Sequence, residues 1–164
     1  MTISLQPMPP QRLAPWLDHT AASYIESRMK AGDSRDQAVA NSDASLACTF
    51  PLGKPAPDQH PFNVLADGEI VGILWIGVID PASKGWWVWD IEIDEAHRGR
   101  GHGRAAMELA ERAPKELGAA TLGLNDFGYN TVARALYESL GYTTTSVQMK
   151  KPLQPQDKLG YASE

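Results

Sequence analysis

The clearest chemical signal in this chain is the run Arg98-Gly99-Arg100-Gly101-His102-Gly103-Arg104, which lies between an apolar segment and a helical pattern. Glycines let a backbone turn tightly and approach a ligand closely. Free N–H groups at the start of the following helix would point at one spot, where aligned donors and the helix dipole favour an anion. Three arginines strengthen this preference in a chain that is otherwise acidic. The run therefore predicts recognition of a diphosphate.

The glycine spacing excludes two common phosphate-binding loops. A Walker loop requires Lys-Ser/Thr after its glycines, and none follows here. The dinucleotide fingerprint requires Gly-x-Gly-x-x-Gly, whereas these glycines occupy positions 99, 101 and 103. The spacing that remains is Arg98-x-x-Gly101-x-Gly103. Taken alone, it is also compatible with a solvated surface turn.

A second block of residues lies further along the chain. It begins at Leu122 and contains Asn130, Ala133-x-x-Leu136-Tyr137-Glu138 and Gly141-Tyr142. In this order the two blocks resemble the acyl-CoA core of the GNAT superfamily of N-acetyltransferases, and the upstream part is similar to bacterial members of it. The resemblance implies a single N-acetyltransferase domain over residues 1–164, with the acyl-CoA core at about 86–150 and a tail at 152–164.

The resemblance implies transfer of an acetyl group from acetyl-CoA to a primary amine, by direct attack in a ternary complex. The pantetheine arm would follow the strand carrying Ile91 and Ile93, at the point where that strand separates from the next. Asn130 would contact this arm, and Tyr137, two helical turns along the same face, would be the general acid for the departing thiolate. The implied cofactor-binding set is Ile91, Ile93, Arg98, Gly99, Arg100, Gly101, His102, Gly103, Arg104, Asn130, Ala133 and Tyr137.

Structural roles for the same residues stay open at this point. Tyr137 could simply pack in the core, and Asn130 could cap a helix. Noncatalytic binding of acyl-CoA, by a sensor or partner subunit, is the alternative function. The sequence also leaves open the identity of the amine, whether the acyl group is strictly acetyl, and whether the protein is a homodimer.

The general base is not decided by the sequence. Relatives often supply it from positions that correspond here to Trp87, Trp89 or Asn125, none of which is ionisable. Strict alternation along a strand places Asp90 and Glu92 on the side opposite Trp87 and Trp89. Glu92 is the first candidate. Asp90 or a chain of water molecules remains possible, and both carboxylates could instead be structural.

Hydrophobic periodicity, together with capping residues, glycines and prolines, predicts the helices and strands that must position these residues. A helix starts near Pro15 and ends at Gly32, and Ser34-x-x-Gln37 opens a second helix through about Cys48. Pro114 predicts a bend or an early end in the helix after the glycine loop. The order is β-α-α-β-β-β-α-β-α-β, an α+β fold with a mostly antiparallel twisted sheet and helices on both faces. The later elements are strands at 63–65, 70–78 and 86–93, a helix at 104–117, a strand at 120–125, a helix at 131–140 and a final strand at 143–150.

Composition narrows the class of protein. The 164 residues are 43% hydrophobic and 21% charged, which is typical of one globular domain. The net charge of −5 argues against a nucleic-acid partner, because such binding depends on a basic surface. The N-terminus does not resemble a signal peptide and no apolar run is long enough to span a membrane, so we expect a cytoplasmic protein without a membrane partner.

The potential metal ligands and the cysteine predict no further chemistry. The four histidines (His19, His60, His97 and His102) do not show ligand spacing, so no metal is expected. Cys48 is the only cysteine, which excludes an intrachain disulfide, and we expect a reduced, partly buried thiol. The tryptophans near 86–89 could line a pocket for a cation, although filling the core is the simpler role.

Overall fold

The computed structural model describes residues 1–80, 82–151 and 153. Short turns of 3-10 helix cover Pro51–Gly53 and Glu95–His97. The main elements are β1 (Ile3–Pro7), α1 (Pro10–Lys30), α2 (Arg35–Thr49), β2 (Gln59–Ala66), β3 (Glu69–Asp80), β4 (Gly85–Ile93), α3 (His102–Glu116), β5 (Thr121–Leu124) and α4 (Thr131–Ser139).

The five strands form one sheet whose spatial order is the chain order, β1-β2-β3-β4-β5. Neighbours from β1 to β4 pair antiparallel, and β5 pairs parallel to β4. The parallel pair is possible because α3 carries the chain back to the starting edge of β4. The α+β class and the mostly antiparallel sheet predicted from the sequence are therefore confirmed.

Helices cover both faces of this sheet. Side chains of β3 alternate between the two, as a strand requires. Leu74 and Ile76 pack with the buried residues of α3, including Met107, while α4 adds partly buried side chains to the same cluster. Ile73 and Trp75 belong to a second cluster formed with α1 and with residues at the end of α2. The result is the expected α/β/α sandwich.

The two predicted N-terminal helix caps are present. The Ser34 hydroxyl accepts a hydrogen bond from the backbone N–H of Gln37 at 3.2 Å. The Asn130 side-chain oxygen accepts one from the N–H of Ala133 at 3.4 Å. Each cap gives a partner to one of the N–H groups that a helix start leaves free.

Three local predictions about the helices are wrong or need adjustment. α1 begins at Pro10 rather than near Pro15, because proline at the first helical position loses no hydrogen bond. α3 continues through Pro114 to Glu116, so the helix does not end early at the proline; Pro114 lies in the last turn, where only one hydrogen bond to an earlier carbonyl is lost. Cys48 is exposed rather than partly buried, since it lies off the buried stripe of α2.

The predicted final strand at 143–150 does not form. Residues 142–150 have no regular secondary structure, and Val147 and Met149 are exposed. Strand-favouring residues form a strand only where one face of the segment can pack against the rest of the protein. The end of this segment is instead held at the α1–α2 turn, because the Lys150 ammonium donates to Asp33 at 2.8 Å and to the Gly32 carbonyl at 3.3 Å. The expected tail at 152–164 lies outside the described residues, except for Leu153.

No helix in the described ranges combines the length and the apolar character that crossing a bilayer requires.

Candidate active site

A β-bulge in β4 sets the direction of its two carboxylates. Asp90 pairs with Trp75 and Val88 pairs with Ile76, so Trp89 is an extra residue without a partner on β3. A bulge of this kind interrupts the alternation of side chains between the two faces. The strict alternation predicted from the sequence is therefore wrong for this strand.

The bulge brings Asp90 and Glu92 to the same side of the sheet as Trp89. Asp90 accepts a hydrogen bond from the Thr20 hydroxyl of α1 at 2.5 Å, and Glu92 contacts His19 of α1 at 2.9 Å. Trp89 stacks on Trp75 within the cluster on the α1 side, with ring centroids 5.4 Å apart. This pair packs in the core, which is the simpler of the two roles considered from the sequence.

The two carboxylates differ in environment. Burial raises the pKa of Asp90, although the hydrogen bond from Thr20 opposes that effect. The Glu92 side chain is 35% exposed, and its hydrogen bond raises the pKa of His19. Glu92 also lines an open cavity of about 280 Å³ whose wall is formed by Arg12, Pro15, Trp16, His19, Ile73, Glu92 and Asp94. Glu92 can therefore meet a ligand in this cavity, whereas Asp90 does not line it and is held against Thr20 of α1.

The second strand of the parallel pair leaves β4 part-way along its length. The pairing runs from Gly85 with Thr121 to Val88 with Leu124, while β4 continues to Ile93. Within the described residues, 89–93 thus have no partner strand on that side. Apart from the Ile93 carbonyl, which accepts from Arg98, their backbone groups facing that side can pair with an extended amide-containing ligand. The side chains of Ile91 and Ile93 pack against the α3 cluster, so only their backbone faces this opening.

The glycine loop, residues 98–104, ends near the point where β4 and β5 have separated. Gly99 and Gly101 have φ values of +73° and +83°, which only glycine adopts without strain. Gly101 is the N-cap of α3 and gives no side-chain cap, so the first N–H groups of the helix remain free. A Cβ at Gly103 would lie 3.6 Å from Leu136 and 3.8 Å from Ile93, which places this glycine between β4 and α4. The arrangement suits an anion, as the sequence predicts.

Most of the charged side chains of the glycine loop already have partners or are buried, so few of them are available to bind an anion. Arg98 donates from Nε to the Ile93 carbonyl at 2.8 Å, and Arg104 donates to the Ser139 hydroxyl at 2.5 Å. Arg100 is exposed, and no partner for its side chain is found in the described part of the chain. His102 is only 4% exposed, so its imidazole faces the interior and only its backbone faces the loop. The anion preference rests chiefly on backbone N–H groups.

Tyr137 lies on α4 beside this opening. Its ring packs against the α3 cluster and meets Tyr142 edge to face, with ring centroids 6.1 Å apart. Burial, followed by the nearby charges of Asp126 and Asp90, raises the pKa of Tyr137 to about 12. The phenol therefore keeps its proton throughout the physiological pH range.

Within the described ranges, no group of three or more His, Cys, Asp or Glu side chains is placed to hold a metal ion.

Comparison with known proteins decides the family. Residues 18–142 match the sequence model described as Acetyltransferase (GNAT) family. This chain belongs to the GNAT family. The N-acetyltransferase YycN of Bacillus subtilis, itself uncharacterized, is 31% identical over 156 residues, which cover 93% of this GNAT chain and 100% of YycN. The crystal structure of YycN matches with a TM-score of 0.83, over 94% of this chain and 100% of that one.

A further relative of this GNAT protein is the mycothiol acetyltransferase of Beutenbergia cavernae. It is 35% identical over 81 residues, which cover 49% of this chain but only 27% of the relative. An aminoglycoside acetyltransferase from a soil metagenomic sample is 19% identical with a TM-score of 0.57, over 93% of this chain and 99% of that one, and this shows a shared fold alone. The family match and the names of these relatives support an acetyltransferase activity for this protein.

Sequence reasoning missed four residues that the fold brings to the site. Arg12, Trp16 and His19 line the cavity from one face of α1, and their spacing of four and three residues was a readable helical signal. Asp126 follows β5, and burial raises its pKa while its Oδ2 atom has no hydrogen-bond partner in the described residues. The signal for Asp126 was its place next to Asn125, at the end of a strand beside β4.

Proposed function

We propose that this protein transfers an acetyl group from acetyl-CoA to a primary amine, with both substrates bound at once. The observation that carries this proposal is the separation of β5 from β4 next to the glycine-capped start of α3. It offers backbone partners for an extended arm and, at its end, free N–H groups for a diphosphate. Acetyl-CoA has both parts, joined in that order.

The proposed cofactor site uses mostly backbone groups. The diphosphate binds the N–H groups between Gly99 and Arg104, and the pantetheine arm lies along Ile91 and Ile93. Asn130 and Ala133, at the start of α4, border the arm from the other side. A backbone N–H of β4 donates to the oxyanion that forms when the thioester carbonyl is attacked.

Glu92 is the proposed general base. An amine must lose a proton to attack the thioester, and a base must reach that proton directly or through one water molecule. Glu92 lines the cavity on the α1 side, whereas the carboxylate of Asp90 is buried against Thr20. We therefore favour Glu92 over Asp90, with Asp90 holding α1 against β4.

Tyr137 is the proposed general acid. As the amine nitrogen bonds to the carbonyl carbon, the C–S bond breaks and the sulfur leaves as a thiolate, which takes the phenolic proton. A pKa of about 12 for Tyr137 makes this transfer unfavourable toward a solvated thiolate of pKa ~8.5. Transfer becomes more favourable when the thiolate is itself desolvated in the opening, because burial raises a thiol pKa as well.

Two measurements test the proposal. Calorimetry should show saturable binding of acetyl-CoA, and a thiol assay across a broad panel of amines should show release of CoA that depends on amine. Failure to bind acetyl-CoA would contradict the whole proposal. Binding without transfer to any amine would favour a noncatalytic acyl-CoA-binding module instead.

A further inference from the structure

Arg12 is a cation without an acidic partner at one end of the cavity. It is half-buried, and its Nη1 donates to the Asn63 side-chain oxygen at 2.9 Å. No carboxylate of the described residues forms a salt bridge with it, although Glu92 and Asp94 line the same cavity. A guanidinium has five N–H donors, and a partly buried charge is stabilised by an anionic partner. The remaining donors of Arg12 are thus available to an anion on a ligand.

The acidic end of the cavity lies two strands away. Asn63 of β2 pairs with Ile73 of β3, and Ile73 pairs with Glu92 of β4, so the three residues form one row across the sheet. Neighbouring strands are about 4.8 Å apart, which separates the backbones at the ends of this row by roughly 10 Å. Arg12 contacts the Asn63 end, and His19 contacts the Glu92 end.

The same separation appears along α1. Arg12 and His19 are seven residues apart in the helix, which corresponds to about 10 Å along its axis. The cavity is therefore a slot with a cationic end over β2, the apolar side chain of Ile73 in the middle, and the carboxylates of Glu92 and Asp94 over β4. At that end His19 bonds Glu92 at 2.9 Å and Arg98 lies 4.0 Å from it, so an acceptor amine would compete with these two groups for the carboxylate. Its volume of about 280 Å³ lies at the lower limit of small-molecule sites, which suits a small acceptor.

We propose that the acceptor is a small amine that also carries an anionic group, bound with its amine at Glu92 and its anion at Arg12. This rests on the proposed function, because only the Glu92 end borders the part of β4 where the thioester would lie. A diamine would place its second ammonium against the Arg12 guanidinium. A simple alkylamine would leave that guanidinium without an anion. An ω-amino acid satisfies both ends at once.

The test compares acceptors that differ only at the distal group. Initial rates of CoA release are measured for ω-amino acids of increasing length, for their amides and for diamines of equal length. We expect at least one ω-amino acid to exceed its amide and its diamine in kcat/KM by about 10- to 100-fold, the range of one charge-assisted contact. An aminoalkyl phosphonate in the same series distinguishes a carboxylate from a phosphate-like anion.

Arg12 variants assign the preference to this residue. Arg12→Gln should remove the preference for the acid over the amide, Arg12→Lys should keep most of it, and Arg12→Glu should shift it toward the diamine. Arg112→Gln is the matched control, because Arg112 is an exposed arginine of α3 outside the cavity. Acetyl-CoA affinity should be the same in all variants, which shows that they are folded.

Two results would overturn the inference. Equal kcat/KM for acids and amides in the wild type would do so, and so would a preference that persists in Arg12→Gln. If CoA binds but no amine is acetylated, the proposed function fails. The slot is then judged by calorimetric binding of the ω-amino acid and its amide to the CoA-saturated protein, where equal affinities would reject the charge arrangement.

Discussion

Among single residues, Glu92 and Tyr137 approach β4 from opposite faces of the sheet. Glu92 lines the cavity under α1, and Tyr137 packs with the α3 cluster beside the gap between β4 and β5. In the proposed mechanism an amine entering from the α1 side loses its proton on one face, and the thiolate gains one on the other. The two proposed roles can therefore be tested separately.

The first prediction concerns Tyr137→Phe, which keeps the ring and removes only the proton. General acid catalysis contributes about 10²- to 10⁴-fold, so kcat should fall by that amount while acetyl-CoA affinity and Tm barely change. Tyr142→Phe is the matched control: its hydroxyl bonds Glu111 at 3.2 Å, and it has no proposed part in catalysis. A Tyr137→Phe kcat within about threefold of wild type, with chemistry rate-limiting, would exclude Tyr137 as the acid.

The second prediction concerns Glu92→Gln, measured beside Asp90→Asn. Loss of the general base should lower kcat/KM for a strongly basic amine by about 10²- to 10⁴-fold in Glu92→Gln. A weakly basic amine, already neutral at the assay pH, should lose much less. Equal losses for both kinds of amine would show that Glu92 only binds the acceptor. A larger loss in folded Asp90→Asn would transfer the role to Asp90.

At the scale of secondary-structure elements, the proposed cofactor site depends on how closely β4, the glycine loop and α4 pack together. Gly103 lies where the three meet, and an added Cβ there would make only ordinary contacts with Leu136 and Ile93. Gly101 differs, because its φ of +83° makes any side chain strained. A substitution at Gly103 therefore tests the close approach of a ligand, whereas a substitution at Gly101 tests the backbone conformation that the fold needs.

The third prediction uses Gly103→Ala, with Gly103→Val as the larger step. Both variants should fold, since alanine is more favourable than glycine in a helix. Each should weaken acetyl-CoA binding by about tenfold or more if the cofactor approaches this backbone closely. Gly101→Ala should instead lower Tm in the absence of ligand. Calorimetry that gives wild-type affinity for folded Gly103→Val would reject the loop as the diphosphate site.

On the scale of the whole molecule, ionic contacts join the end of the described chain to the α1–α2 turn. Asp33 accepts from Lys150 at 2.8 Å and from the Nε atom of Arg28 at 2.7 Å, and these hydrogen bonds lower the pKa of Asp33. A carboxylate whose pKa is lower in the folded state favours folding above its unfolded pKa of about 4. That contribution is lost as the pH falls through the folded value.

The fourth prediction follows from the lowered pKa of Asp33, which makes its contribution to stability larger at neutral pH than at acidic pH. Asp33→Asn should lower the free energy of unfolding at neutral pH, and its difference from wild type should shrink as the pH falls below about 4. Urea unfolding at a series of pH values measures the difference. Lys150→Gln should weaken the effect, whereas Lys151→Gln, which changes a neighbouring exposed lysine, should not. A difference that stays constant with pH would exclude the Asp33 carboxylate as the cause.

The sequence by itself determined the glycine loop, the helix caps and the order of all elements up to α4. These features depend on residues close together in the chain: Gly101 adopts its own backbone conformation, and Asn130 caps the helix that it precedes. The family core could be read for the same reason. Its two blocks combine such local signals at a fixed spacing.

Only the tertiary structure decided which way the carboxylates of β4 point and what they face. The bulge at Trp89 depends on pairing with β3, which no local pattern of β4 reveals. The slot between Arg12 and Glu92 exists because α1 crosses three paired strands, bringing together residues far apart in sequence. The strand predicted at 143–150 fails for a related reason: β propensity depends on burying one face of the segment, and Val147 and Met149 are exposed. Local conformation can be read along the chain, but the partners of a side chain are determined by long-range packing.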